Sequence, residues 1–484
     1  MSYIKNRKMK AFKIIILSMI ALSGVSVSAQ TSYDAARIIG QDLSGTARYI
    51  GMGGAMNAFG NDISVIKSNP AGIGTYKQNE VNMSLSFFGS STKMTNPRTD
   101  QIYVGNFLTD INFQGNEMIS DIKPAFDNIS FVICNESDGY GSLKNVNFAF
   151  SYRKLRNDNR TVDYYDDFTE LDEFREYGNN EENKISSYDF NISFNHDDIF
   201  YWGLTMGILH SSYWSNGYFY HCYLDGSEWV DYTAVDRMNE IFGKGFDMAL
   251  GAIFRPIDNI RLGVSLKTPT WYSMDQRYQD YLYADQGTAK DGELFSQSVS
   301  YNVTTPWVMN LSAGLTFENT AIGFEYERNF ADRVSLRQSS RKLEDQGSYD
   351  LQSYDTYKVG IEQNINKISL RAGYAVTSTM FKEGQMQYMG DTEFNSYRRD
   401  FESDKLGVQR NITFGIGYCS SPSYNGEQFY LDAAYVVGIR KSTLCMGGED
   451  IIWNYTAGDY YYPNQFSDYK ETTGKLVITA GFTF

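Results

Sequence analysis

His210 and Ser212 are placed as a base and its nucleophile would be. Residues two apart share a face of an extended strand, so this imidazole and hydroxyl could hydrogen-bond. They continue the register of Trp202, Leu204, Met206 and Ile208 and would face the apolar side of a wall near one rim. Such a pair at a lipid-facing rim would suit hydrolysis of a lipid ester. The sequence names no third, orienting member of a triad, and the adjoining Tyr213 and Trp214 equally suit an interfacial aromatic girdle. A lipid hydrolase using His210 and Ser212 is thus one alternative, and no catalytic residue is assigned. His196 and His221 have no metal-ligand spacing, and Cys134, Cys222, Cys419 and Cys445 form no C-x-x-C pair. No metal and no cofactor are expected. An exported chain could form a disulfide, and free cysteines are an equal reading.

A second set of chemically capable residues is the series Arg153, Arg261, Lys267, Glu325, Glu327, Lys358, Glu362 and Arg371. Each alternates with apolar neighbours, so each points away from the apolar face of its strand. Within a closed sheet they would form a solvated, ion-paired interior. One arginine or lysine could also hold a ligand carboxylate. Arg261, Lys267, Glu325, Glu327 and Arg371 are the candidate lumen charges, and the sequence does not choose among them.

The elements that must position these groups are strands. Ile260, Leu262, Val264 and Leu266 alternate with Arg261, Gly263, Ser265 and Lys267, and Trp307–Phe317, Tyr357–Ile361 and Phe429–Val437 repeat the pattern. About fourteen such strands can be counted. Short turns near 196–199, 255–259, 318–320 and 364–367, with longer ones near 134–145 and 419–428, alternate with long polar segments near 154–184, 211–245, 269–305, 331–352, 376–410 and 438–474. A soluble sandwich has no reason to sort loop length by end, whereas a transmembrane barrel does. Aromatic residues are 15% of the chain and the mean hydropathy is −0.41, too polar for a bundle of apolar helices. The expected fold is therefore all-β, a transmembrane antiparallel barrel of about fourteen strands, residues 81–484, closed because unpaired edges cannot face lipid. The formal net charge of −15 argues against nucleic acid as a partner.

Residues 1–29 read as a signal peptide. Lys5, Arg7, Lys8, Lys10 and Lys13 precede a short apolar stretch, and Val27-Ser28-Ala29 offers a cleavage site. The chain ends on alternating Leu476, Ile478, Ala480, Phe482 and Phe484, like the assembly signal of bacterial outer-membrane proteins. Residues 30–80 are dense in glycine and carry Asn69-Pro70-Ala71-Gly72. A barrel this wide is not filled by its own wall, so this segment is the natural plug, a hatch in the lumen.

The Gly-rich start, Asn61-Asp62, the Asn69–Gly72 motif, Gly263–Trp271 and Thr304–Phe317 resemble the FadL/TodX family of outer-membrane transporters of hydrophobic compounds. The resemblance implies a hatch shaped by Asn69, Pro70 and Ala71, ligand capture near the extracellular end and sideways exit through the wall. It implies passive uptake of hydrophobic small molecules such as long-chain fatty acids, in the outer membrane of a Gram-negative bacterium. Expected partners are that ligand, membrane lipid and lipopolysaccharide, and the barrel assembly machinery. A surface receptor or secretion-machinery docking protein of the same fold is the other alternative, its long loops serving as docking surfaces.

Overall fold

In the strand Ile260–Lys267, Leu262, Val264 and Leu266 are exposed while Gly263 and Ser265 are buried. That inversion of ordinary globular burial repeats around the whole molecule. In a computed structural model the chain is described over residues 32–40, 42–94, 99–104, 107–115, 118–120, 122–137, 141–168, 173–225, 228–285, 293–338, 341–342, 351–382, 407–445, 452–454, 459–461 and 466–484. The signal peptide expected at 1–29 lies outside these residues.

The wall begins with β1 (Glu80–Met94), β2 (Lys123–Glu136), β3 (Leu143–Phe168), β4 (Glu173–His196), β5 (Phe200–Asp225) and β6 (Glu228–Ile257). β7 (Ile260–Lys267) continues upward as β8 (Trp271–Asp285) after a break at Thr268-Pro269-Thr270. β9 (Glu293–Thr304) returns and resumes as β10 (Val308–Phe317) after Thr305-Pro306-Trp307. Proline has no N–H for the ladder, and the ladder breaks where Pro269 and Pro306 lie. The remaining strands are β11 (Thr320–Asn329), β12 (Tyr354–Ile365), β13 (Ile368–Thr377), β14 (Gln409–Cys419), β15 (Gln428–Cys445) and β16 (Phe466–Thr483).

Each of these strands pairs antiparallel with the next around the ring. The ring closes where β1 meets β16, from Glu80 opposite Thr483 to Met94 opposite Tyr469. With β7/β8 and β9/β10 each counted once, the barrel has fourteen strands. Its outer face carries Phe131, Phe148, Phe190, Met206, Leu250, Val264, Leu311, Phe324, Ile361, Phe414 and Leu431, all exposed. A contiguous apolar band of that kind is stable against hydrocarbon, not water.

The long polar segments expected as loops are corrected by the structure. β3, β4, β5 and β6 run for 26, 24, 26 and 30 residues, so much of 154–184 and 211–245 is strand. A bilayer needs only about 9–11 residues per strand. The wall therefore rises well beyond the apolar band on one side, where polar residues occupy both faces and the alternation signal fades. β8 and β9 likewise occupy most of 269–305.

Candidate functional site: the occupied lumen

Residues 32–40 and 42–76 lie inside the wall. A helix α1 (Ser32–Ile39) leads to a second, α2 (Ala47–Gly51), and to short 3-10 turns at Ile63–Ile66 and Pro70–Thr75. Each of the last three starts where a side chain caps it. Thr46 accepts from the Tyr49 N–H, Asp62 from the Ser64 N–H, and Asn69 from the Ala71 N–H. Pro70 occupies the first position after its cap, where the missing donor costs nothing. Ile50, Met52, Met56, Ile63, Ile66 and Ile73 form a small core of this segment against Val132, Ala149, Ala434, Val436 and Val477 of the wall.

The wall is shaped to receive it. Small inward residues let backbone approach backbone: a Cβ on Gly360 would overlap the Met52 carbonyl, and one on Gly373 would overlap Gly53. Asn69 Nδ2 donates to the Asn57 carbonyl at 3.0 Å and to Ala252 at 3.4 Å. The Pro70 carbonyl accepts from Ser193 Oγ at 2.7 Å. Ala71 packs on Tyr201 and Ile253, and the Gly72 carbonyl accepts from the Asn61 N–H at 3.1 Å. The Asn69–Gly72 motif thus sits against β4, β5 and β6.

Two ionic networks tie segment to wall, and a third lies within the wall. Lys67, 6% exposed, reaches Asp247 at 2.6 Å and Asp189 at 3.3 Å. Asp247 also meets Lys267 at 3.4 Å, and Asp189 meets Arg153 at 3.2 Å, whose other arm donates to the Ser64 carbonyl. Arg48 and Arg371 share Glu362, at 2.9 and 2.6 Å, and Arg371 continues to Asp432. Lys358 joins Glu325 at 2.7 Å and Glu327 at 3.4 Å. Arg261 donates to the Phe59 carbonyl at 2.7 Å. All five candidate lumen charges therefore have partners in the protein, and Arg261 and Arg371 reach the internal segment directly or through Glu362. Lys67, Asp189 and Asp247 were missed as a unit. Asp189 and Asp247 do stand at inward positions in the strand alternation, but nothing local marks Lys67 as their partner.

Above this packed layer lies a cavity of about 210 Å³, bordered by Leu43, Tyr49, Leu155, Tyr354 and Met380 among others. Its lining includes eight lysines and arginines against four carboxylates. Desolvation pushes the Tyr49 hydroxyl up to about 12, so it stays a neutral donor. Desolvation and the adjoining Asp158 carboxylate push Asp42, on the link between α1 and α2, up to about 7. Beside the cavity an apolar cluster brings together Leu155, Ile185, Leu209, Tyr272, Met274 and Phe381, with Ala35, Ala36 and Ile39 of α1 packed into it.

The wall next to the cavity is incomplete. β2 pairs with β3 only from Asn128 opposite Arg153 down to Glu136 opposite Asn145. Above that point Lys123–Phe126 pair with β1 alone, and β3 is paired only with β4 until Tyr164–Asp167 meet the strand Phe107–Gly115. A bulge between Lys154 and Arg156 marks the start of this ladder-free stretch and turns Leu155 and Arg156 inward together. Lys154, Leu155 and Asn157 border both gap and cavity.

The alternative chemistry does not assemble. His210 is exposed opposite Lys244, and no hydrogen bond joins it to Ser212 among the described residues. His196 contacts Ser142 and Trp202. Cys134 and Cys419 are free thiols, while the side chains of Cys222, Cys445 and His221 lie outside the described residues.

No protein-family model and no curated protein matches the chain. Solved structures do. A FadL homologue of Pseudomonas aeruginosa aligns over 92% of this chain and 99% of its own, with TM-score 0.62 and 14% identity. The toluene transporter TodX of P. putida aligns over 92% and 99%, with TM-score 0.55 and 14% identity. The toluene transporter TbuX of Ralstonia pickettii gives 92%, 99%, 0.51 and 14%. At such identity it is the architecture that is shared, over nearly the full length of each chain: the protein has the FadL/TodX barrel fold.

Proposed function

We propose that the protein admits hydrophobic compounds across the outer membrane of a Gram-negative bacterium, passively, around an N-terminal hatch. The observation that carries this reading is the coincidence of a sealed floor and an open side. Residues 46–76 are almost wholly buried in the lumen, while the ladder is missing between β2 and β3 beside the cavity. A ligand entering from the tall end meets the cavity and the apolar cluster beside it, and its free way on is sideways into lipid. Each buried methylene contributes about 0.8 kcal/mol, and release into the bilayer restores that burial, so no energy source is needed. The FadL homologue and the toluene transporters of like fold support this class of cargo. Of the eight lysines and arginines around the cavity, Lys154 alone has no carboxylate partner among the described residues, and it favours an apolar body with an anionic head, as in a long-chain fatty acid, over a neutral hydrocarbon. In this reading Asn69–Gly72 shape the hatch, residues 1–29 direct export, and the terminal strand is recognised by the barrel assembly machinery.

The test is uptake of radiolabelled oleate and of toluene by cells that lack their own carrier. The chain should raise oleate entry severalfold and toluene entry less. In planar bilayers, deleting residues 31–75 should convert a silent barrel into a steady ion-conducting pore. No gain for either compound, with unchanged conductance after the deletion, refutes the reading.

A further inference from the structure

The outward face of the wall changes chemistry beside the gap. On β3 the outward residues run Phe148, Phe150, Tyr152 and then Lys154; on β4, read in the same direction, they run Phe190, Tyr188, Ser186 and Lys184. The rings form a continuous row. Phe150 and Phe190 lie 5.1 Å apart, Tyr152 and Tyr188 5.2 Å, and Phe126 of β2 stacks on Tyr152 at 6.0 Å. Aromatic rows of this kind sit at the boundary between hydrocarbon and headgroups. The next outward position is about 5–7 Å higher, where β3 carries Lys154 opposite Ser186; Lys184 lies one outward position higher still, opposite Asn157, and Lys123 stands across the gap on β2, opposite Phe88 of β1.

Glu182 holds two of these ammonium groups in one place, 2.7 Å from Lys184 and 3.6 Å from Lys123. It neutralises one charge of three. Lys154 has no ion-pair or hydrogen-bond partner among the described residues. The charged groups facing it are Lys184, Lys475, Asp127 and Glu182. Asp127 is buried and committed to Lys475 at 2.7 Å and to Ser86. Two positive charges are therefore left over at the level of lipid phosphates, one on each side of the ladder-free stretch.

We propose that Lys123, Lys154 and Lys184 bind the phosphate of an anionic outer-leaflet lipid at the rim of the gap. The phosphate bridges β2 to β3 and β4 where no backbone pairing does, and its acyl chains lie along the Phe126–Tyr152–Tyr188 row. Lys154 also borders the cavity, so the site shares that residue with the uptake reading, but lipid binding is measured apart from uptake and the two fail separately.

The experiment counts bisphosphorylated lipid A bound to the purified full-length barrel by native mass spectrometry, across a lipid titration in detergent. Lys244→Gln, an exposed lysine on β6 away from the gap, is the control. Each lysine near a charged surface contributes about fivefold in affinity. With the opposing charge of Glu182, the triple variant K123Q/K154Q/K184Q should bind at least about thirtyfold more weakly, and Lys244→Gln should match the parent. Heat-modifiable gel mobility verifies barrel closure. If the triple variant does not close, Lys154→Gln alone should weaken binding about fivefold. Equal affinity in parent and variant overturns the proposal. So does displacement of lipid A by millimolar inorganic phosphate, which would make this a site for the free anion.

Discussion

Replacing Lys67 with alanine should unseat the internal segment without opening the wall. Lys67 is the cation between two fully buried carboxylates, Asp247 at 2.6 Å and Asp189 at 3.3 Å. Removing one partner of a buried ion pair costs about 3–5 kcal/mol, because the remaining charge is left uncompensated. Here each carboxylate keeps a second cation, Lys267 for Asp247 and Arg153 for Asp189, so the lower end applies. About 3 kcal/mol corresponds to roughly a 150-fold rise in the population of the unseated segment. The wall ladder is untouched, since the lost contacts run from wall to lumen. Single-channel recording in planar bilayers reads this directly: the parent should be nearly silent and Lys67→Ala should show brief openings about two decades more frequent. Lys67→Arg, which restores the charge, should return most of the silence. A fully closed barrel whose open probability does not change on Lys67→Ala would refute the claim that this pair of salt bridges seats the segment.

Two further outcomes are expected. Gly360→Leu places a side chain where the Met52 carbonyl lies, so it should raise ion conductance, like the expected effect of deleting residues 31–75, while the barrel still shifts on a heated gel; silence would show that the segment can repack. Asp42, raised from its ordinary value to about 7, binds its proton more tightly in the seated state than when free. Seating of residues 36–44 is therefore fully favoured by this group below about pH 4 and loses that contribution as pH rises to 7. Hydrogen exchange corrected for intrinsic rate should show those amides opening more often at pH 8 than at pH 5, and Asp42→Asn should abolish the difference.

The barrel, its fourteen strands and the outward residues of the apolar band are all legible in the amino-acid pattern. These are local facts: a period of two in Ile260–Lys267 or Trp307–Phe317 reports a strand with one face in hydrocarbon and the other in a wet lumen. The sequence also marked 30–80 as unlike the wall, because no strand carries that density of glycine, and it placed Arg261, Lys267, Glu325, Glu327 and Arg371 on the inward side. It did not reveal the height of the wall, since above the band neither face is apolar and β3 through β6 continue without contrast. Which charges meet depends on how distant strands are brought together. Lys67 finds Asp189 and Asp247 across more than a hundred residues through the register of β4 and β6. The gap beside Lys154 arises in the same way, from a bulge and a partner strand that stops early, and pairing between distant segments leaves no periodic trace in either one.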